Sequence, residues 1–182
     1  SNSIFFDDSG KVELNYPKGY PTQGYSFRNL IKSYHLDIET VVVRRSVLNE
    51  FRLKFDDRFN LVGDADLFIR IAWHSKLAMV PEVLAKWRIH DQSLTYTHPE
   101  KFCTEIEIMY NNFENQLDAL LPKYSSELNF AKSKNLFHKA FYMWRDSKGK
   151  TARSILLKAQ MWKIKNILND KKLINDNIDF LK

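Results

Sequence analysis

Short apolar runs with two different periods fill the first 98 residues of the chain. In "SIFFDDSGKVEL", two such runs flank the turn-forming residues Asp8, Ser9 and Gly10, which predicts two strands joined by a turn. Helical spacing in "SFRNLIKSY" predicts a short helix capped by Ser26. The β-branched run in "ETVVVRRSVL" predicts a buried strand that leads into another short helix.

A longer helix is predicted from Asp64 onward, because "DADLFIRIAWHS" brings its apolar residues onto one face over about three turns. After it, "LAMVPEVLAKWRI" predicts two short strands separated at Pro81. Before it, "YPKGYPTQGY" (residues 16–25) is rich in proline, glycine and tyrosine. That composition predicts a loop long enough to cover a ligand.

From Pro99 onward the period becomes helical throughout. Proline suits a first helical turn, so a helix is predicted from Pro99 to Leu121. Two more amphipathic helices are predicted over residues 128–145 and 151–168, with a break at Gly149 and its flanking lysines. The pattern therefore predicts an α/β part over residues 1–98 and a helical C-terminal region over residues 99–182.

Charge divides the chain in a similar way. The net charge of +6 hides fourteen Lys and Arg against five Asp and Glu in residues 121–182, and fourteen against seventeen in residues 1–120. The single cysteine, Cys103, excludes an internal disulfide framework and favours a reducing, cytoplasmic setting. No apolar run reaches the ~18 residues of a membrane span, and the first residues lack the pattern of a signal peptide.

Two carboxylates stand inside an otherwise apolar run in "VGDADLFIR". Asp64 opens the predicted helix, where a carboxylate either caps the backbone N–H groups or acts as a general base facing a cleft, and one group can do both. Asp66 and Arg70 have the i,i+4 spacing of an ion pair, so Asp66 is mainly structural, with substrate contact as its alternative role. The pair also has the form of a DxD metal motif, but a helix follows it here instead of a loop.

A second polar group ends the predicted strand in "LAKWRIHDQSLT". Arg88 and His90 alternate with apolar residues, so both are expected on one face of the strand. A guanidinium and an imidazole side by side can bind phosphate oxygens, and an imidazole can also ligate a metal. The alternative is an exposed strand end whose polar residues have no such role.

Taken in order, three segments resemble the second half of a family 2 glycosyltransferase with the GT-A fold. They are "TVVVRRSVL", "FDDRFNLVGDADLFIRIA" and "VPEVLAKWRIHDQSLT", and together they span roughly residues 36–95. In that family an "FDE"-like turn precedes an "ED" pair that opens a helix, and a strand ending Y-R-x-H closes the domain. The set is specific as an ordered whole, and each piece alone is weak.

The resemblance implies an inverting transferase that moves a sugar from a nucleotide-sugar donor to a hydroxyl of a saccharide or lipid-linked acceptor, in bacterial surface polysaccharide or glycolipid synthesis. Asp64 matches the aspartate of the "ED" pair, which is the family's general base. Arg88 and His90 match the segment near the donor diphosphate and its metal, and Asp66 is a further substrate-binding position. Two residues depart from the family pattern: Gly63 replaces the usual glutamate, and Trp87 replaces the usual tyrosine.

The family's first half carries the nucleotide-binding strands and the DxD motif that holds Mg²⁺ or Mn²⁺, and nothing before residue 36 resembles it. We therefore expect this chain to be a fragment with a partial GT-A-like domain, which alone binds nucleotide sugar poorly and turns over little or none. His90 is the one metal ligand expected within the chain.

Two other classes of function stay open. A non-catalytic binding module would use the basic helical region, residues 121–182, to hold a membrane, a nucleic acid or an acidic partner. The absence of an aromatic and basic pattern typical of nucleic-acid modules argues against nucleic acid. A peripheral contact with the inner face of the membrane would bring the enzyme to a lipid-linked acceptor.

A metal-dependent hydrolase using Asp64, Asp66 and His90 would need a further ligand close by, and the sequence offers no third histidine near them.

Overall fold

The computed structural model describes residues 1–16, 23–116 and 121–169 and shows a mixed α/β protein. The chain divides into two compact units, Ser1–His98 and Pro99–Lys182, and the division falls where the sequence changes to a helical period. No helix in the described ranges is long and apolar enough to cross a membrane. Most of the predicted ligand-covering loop, residues 17–22, lies outside the described residues.

The first unit contains a small sheet in the order β2-β1-β3. Strands β1 (Asn2–Phe6) and β2 (Val12–Leu14) are antiparallel, and β3 (Val83–Arg88) is parallel to β1. The predicted hairpin is confirmed. Its turn is closed by the Asp7 carboxylate, which accepts hydrogen bonds from the backbone N–H groups of Ser9 and Lys11, and by Gly10 at a positive φ of 83°.

In the described part of the first unit, four α-helices accompany the sheet: α1 (Phe27–Lys32), α2 (Arg45–Glu50), α3 (Gly63–His74) and the single-turn α4 (Leu94–Thr97). The predicted helices at α1, α2 and α3 are confirmed. The core lies between α1 and α3, where Leu30, Ile31 and Ile69 are fully buried. The rings of Phe27 and Trp73 meet edge to face there, with centroids 4.7 Å apart.

Three local predictions in this unit are wrong. The β-branched run is not a strand: Ile38–Thr40 form one turn of 3-10 helix, and Val42 is 97% exposed, because no neighbouring strand pairs with the run. In place of the predicted strand before Pro81, the structure has an isolated β-bridge between Leu77 and Gly24. Ser26 stands at the start of α1, but its hydroxyl donates to the Gly24 carbonyl instead of capping the helix.

Where the structure describes the second unit, it contains three helices: α5 (Pro99–Gln116), α6 (Leu121–Arg145) and α7 (Gly149–Asn169). All three were predicted, but α6 begins seven residues earlier than the pattern indicated. Met109, Phe113 and Leu128 fill its core. The buried amide of Asn135 on α6 donates to the Cys103 carbonyl on α5 at 2.8 Å, which fixes the two helices against each other.

Candidate active site

The first turn of α3 carries both carboxylates that the sequence singles out. Val62 precedes the helix and forms no side-chain cap, so Asp64 lies inside the first turn, one residue after Gly63. Its negative charge is favourable there because the free N–H groups and the dipole of the helix point toward it. A Cβ on Gly63 would meet only ordinary contacts, 3.6 Å from Phe55 Cδ1 and 3.8 Å from Phe59 Cβ.

Asp64 is half-buried, and its Oδ2 accepts a hydrogen bond of 3.0 Å from the hydroxyl of Tyr34. Burial raises the pKa of the Asp64 carboxyl above its usual range, while hydrogen bonds from the Ala65 backbone and from Tyr34 act in the opposite direction. Burial and the neighbouring Asp64 charge also raise the pKa of Tyr34, so its hydroxyl remains a donor at neutral pH. The contact with Tyr34 comes from another element, so Asp64 is more than a local helix cap.

A second carboxyl, Asp37, belongs to the same polar cluster. Its Oδ2 accepts a hydrogen bond of 3.0 Å from the Ser3 hydroxyl and another from the Asn15 amide. Burial raises the pKa of Asp37, the two hydrogen bonds lower it, and the charge of Asp64 raises it again. Partial burial of its carboxyl raises the pKa of Glu39, a hydrogen bond from its own backbone N–H lowers it, and the charges of Asp37 and Asp64 raise it again.

Chemically, this cluster presents carboxyl groups that can accept a proton in a half-buried setting. A carboxylate with a raised pKa takes a proton more readily than one free in water. The charge of Asp64 makes protonation of Asp37 easier. Tyr34 supplies a hydroxyl donor that stabilises the ionised form of Asp64 and fixes its orientation.

Asp66 has a different environment from Asp64. It is 3% exposed, and its Oδ2 accepts two hydrogen bonds from the Arg70 guanidinium, which also donates to the Lys54 carbonyl at 2.8 Å. The predicted i,i+4 ion pair is therefore present, but it is buried on the side of Asp66 and connects α3 to the preceding loop. Burial raises the pKa of Asp66 and the guanidinium opposes that shift. The predicted contact between Asp66 and substrate stays a prediction.

Arg88 and His90 lie at the far end of β3. Arg88 ends the strand, is exposed, and its guanidinium donates two hydrogen bonds of 3.1 Å to the carboxylate of Asp8 in the hairpin turn. The Ile89 N–H still pairs with the Phe6 carbonyl at 2.8 Å, but His90 begins a turn in which its carbonyl accepts the Ser93 N–H. His90 is exposed. The expected strand thus stops before His90.

Within the described part of the chain, the cluster around Asp64 and the pair Arg88 and His90 do not form one contact network. Ser3, which binds Asp37, pairs with Ala85, and Arg88 lies three residues further along β3, about 10 Å along the strand axis. Among the described residues, Asp64 shares no hydrogen bond or ion pair with Arg88 or His90. A ligand that touched both groups would have to extend along the β1–β3 pair.

The described residues contain no ready-made set of metal ligands. In the described ranges, no three His, Cys, Asp or Glu side chains converge closely enough to hold a metal ion. The expected role of His90 as a metal ligand stays a prediction.

Sequence reasoning missed Tyr34, Asp37 and Asp8 as members of these sites. Tyr34 was assigned to the apolar face of a helix, and Asp8 only to a turn. The segment "YHLDIE" (residues 34–39) places a tyrosine, a histidine and two acids between two apolar runs. That density of titratable groups at an element boundary was the available signal.

Comparison with known proteins adds no relative to this picture: no family model, no curated protein and no solved structure matches the chain.

Proposed function

We propose that the first unit, Ser1–His98, is the acceptor-side part of a GT-A-like domain in an inverting glycosyltransferase of family 2. Asp64 is its general base. The observation that carries this proposal is the environment of Asp64: a half-buried carboxyl with a raised pKa in the first turn of α3, held by the Tyr34 hydroxyl at 3.0 Å. The ordered resemblance over residues 36–95 supports the same assignment.

The reaction is a single displacement. The acceptor hydroxyl gives its proton to the Asp64 carboxylate, and its oxygen forms a bond to the anomeric carbon of the donor. The bond between that carbon and the nucleoside diphosphate breaks, and its electron pair leaves with the diphosphate. Attack from the opposite face inverts the configuration, and general-base assistance contributes about 100- to 10,000-fold.

Asp64 suits this role for two reasons. Its raised pKa brings its proton affinity closer to that needed near neutral pH. Its carboxylate has about four lone-pair sites, so the hydrogen bonds from Tyr34 and from the Ala65 backbone leave acceptor capacity for a substrate hydroxyl.

The donor side of the proposal rests on Arg88. Its partner Asp8 holds it in an ion pair whose side chains are 56% and 74% exposed, and exposed pairs contribute little free energy. Arg88 can therefore exchange Asp8 for a diphosphate oxygen at small cost. His90, two residues on, supplies a further donor to the same group. The single cysteine favours a reducing, cytoplasmic setting for the proposed reaction.

The polypeptide encoded by the complete gene is the material for the test. It is incubated with a panel of nucleotide sugars, with and without saccharide and lipid-linked acceptors, and released nucleoside diphosphate is measured. We expect release that depends on the acceptor, and NMR of the product should show an inverted anomeric centre. Retention of configuration, or no acceptor-dependent release from any donor by the folded protein, would overturn the proposal.

A further inference from the structure

One face of α6 exposes a row of large aromatic side chains. Phe130, Phe137, Phe141 and Trp144 are 42%, 59%, 50% and 66% exposed. They follow one another at intervals of seven, four and three residues, which places them on one stripe of the helix. Soluble monomers rarely expose such a row without a use for it. We call these four residues the aromatic row.

The side of α6 opposite the row is already occupied. Lys132 and Lys139 form ion pairs with Glu114 and Glu107 on α5, and the Asn135 amide binds α5 between them. At helical spacing these three positions lie roughly 160° to 220° around the helix from Phe137. The row therefore points away from α5.

The second set of contacts of α6 is with α7, the helix that follows it. Ala140 and Met143 are buried on α6, and Ala152 is buried on α7. Among the residues whose side chains the structure describes, these buried positions do not belong to the row.

Basic residues lie beside the row on α6 and along α7. Lys134 lies on the same stripe between Phe130 and Phe137, and Arg145 follows Trp144. The nearest acid after the row, Asp146, is 3.6 Å from Arg145 in an exposed pair. Helix α7 contains five Lys and Arg and no Asp or Glu, and it exposes Leu156 and Leu157 beside the exposed Lys158.

We propose that the aromatic row of α6, with the lysines and arginines beside it, is a docking surface for an anionic lipid bilayer. Aromatic rings are favoured at the boundary between headgroups and acyl chains, and basic side chains beside them attract acidic headgroups. The row is about 21 Å long, the length of 14 helical steps, so the helix would lie flat in the interface.

Charge decides between a bilayer and a second copy of the chain. A two-fold contact through the row would bring together two copies of α6 and α7, which in each copy contain ten Lys and Arg against one Glu, and such an approach of like charges is unfavourable. An anionic bilayer meets the same cations with opposite charge. This inference does not rest on Asp64 or on the proposed transferase activity, and either can fail alone. It narrows the expected membrane contact of residues 121–182 to α6.

The test is flotation of the full 182-residue chain with vesicles of pure phosphatidylcholine and with vesicles containing phosphatidylglycerol. We expect recovery with the anionic vesicles only, reduced by high salt. The double variant Phe141→Ala/Trp144→Ala should lower vesicle affinity by about tenfold, since two exposed rings lose their apolar contact. Ile108→Ala on α5, which removes another exposed apolar side chain, is the matched control and should bind as the unchanged chain does.

Three results would overturn the proposal. The unchanged chain does not float with anionic vesicles, or the double variant floats equally well. The third contradicting result is a dimer, seen by sedimentation without lipid, that Phe141→Ala/Trp144→Ala converts to a monomer. That result would assign the row to self-association. Circular dichroism confirms that each variant is folded, and Phe137→Ser provides an independent single change in the row.

Discussion

The hydroxyl of Tyr34 donates a hydrogen bond of 3.0 Å to Oδ2 of Asp64, although thirty residues separate the two positions. The contact joins the segment after α1 to the first turn of α3. It stabilises the ionised carboxylate while burial destabilises it, so two opposing effects set the proton affinity of Asp64. Each effect can be changed separately by substitution.

Tyr34→Phe removes the hydroxyl and keeps the ring. Because the hydrogen bond lowers the pKa of Asp64, its loss should raise that pKa further. The free energy of unfolding should fall by about 1 kcal/mol, the typical net value of one such bond. NMR titration of the Asp64 carboxyl carbon measures the pKa. Tyr25→Phe is the control, since Tyr25 is 78% exposed. An unchanged or lower pKa in Tyr34→Phe would show that the bond has no part in tuning Asp64.

Asp64→Asn separates a general base from a structural cap. The pKa of Asp64 is raised in the folded state, so the stability it contributes is present below its unfolded pKa of about 3.9 and is lost as pH rises through the folded value. The neutral amide avoids this loss. We expect Asp64→Asn to raise the free energy of unfolding at pH 7 and to leave it nearly unchanged at pH 3. Urea unfolding at both values measures this. A less stable Asp64→Asn at pH 7 would mean that the charge chiefly caps α3.

Asp66 and Asp56 offer a matched pair of aspartates with arginine partners. Asp66 is buried against Arg70, whereas the partner of Asp56, Arg58, is 59% exposed. Asp66→Ala leaves a partly buried guanidinium without its carboxylate and should cost about 3 kcal/mol or more. Asp56→Ala should cost about 1 kcal/mol or less. Chemical unfolding of both variants checks the contrast, and similar small losses would show that the Asp66 pair is not structural.

Asp8→Asn tests whether Arg88 reaches the donor. The change releases Arg88 from an exposed ion pair, so stability should change by under about 0.5 kcal/mol. If Arg88 binds the diphosphate, the donor KM of the complete gene product should fall by up to about fivefold. Lys11→Gln, in the same hairpin, is the control. An unchanged or higher donor KM in Asp8→Asn would remove Arg88 from the donor site.

The sequence allowed prediction of those parts of the fold whose determinants are local. The helix α3 follows from its apolar spacing, and the hairpin turn follows from Asp7 and Gly10, which bond within the turn itself. The run Val41–Val43 failed as a strand because a strand requires a partner, and β propensity alone does not supply one.

In the candidate site, too, the residues with local determinants were predicted and the others were not. Asp64 was identified because a charge in an apolar run is costly. The ion pair between Asp66 and Arg70 was identified because i,i+4 spacing is a local feature of the sequence. Tyr34 and Asp37 reach Asp64 only through tertiary folding. A single sequence does not encode that proximity as a period or a spacing.

The most direct measurement of the central claim is the turnover of Asp64→Asn in the polypeptide encoded by the complete gene. Glu82→Gln, an exposed carboxyl in the same unit, is the control, and unfolding curves establish that both variants are folded. A general base predicts a loss in kcat of about 100- to 10,000-fold for Asp64→Asn with a nearly unchanged donor KM, and full activity for Glu82→Gln. Unchanged turnover in folded Asp64→Asn would contradict the assignment of Asp64 as the base.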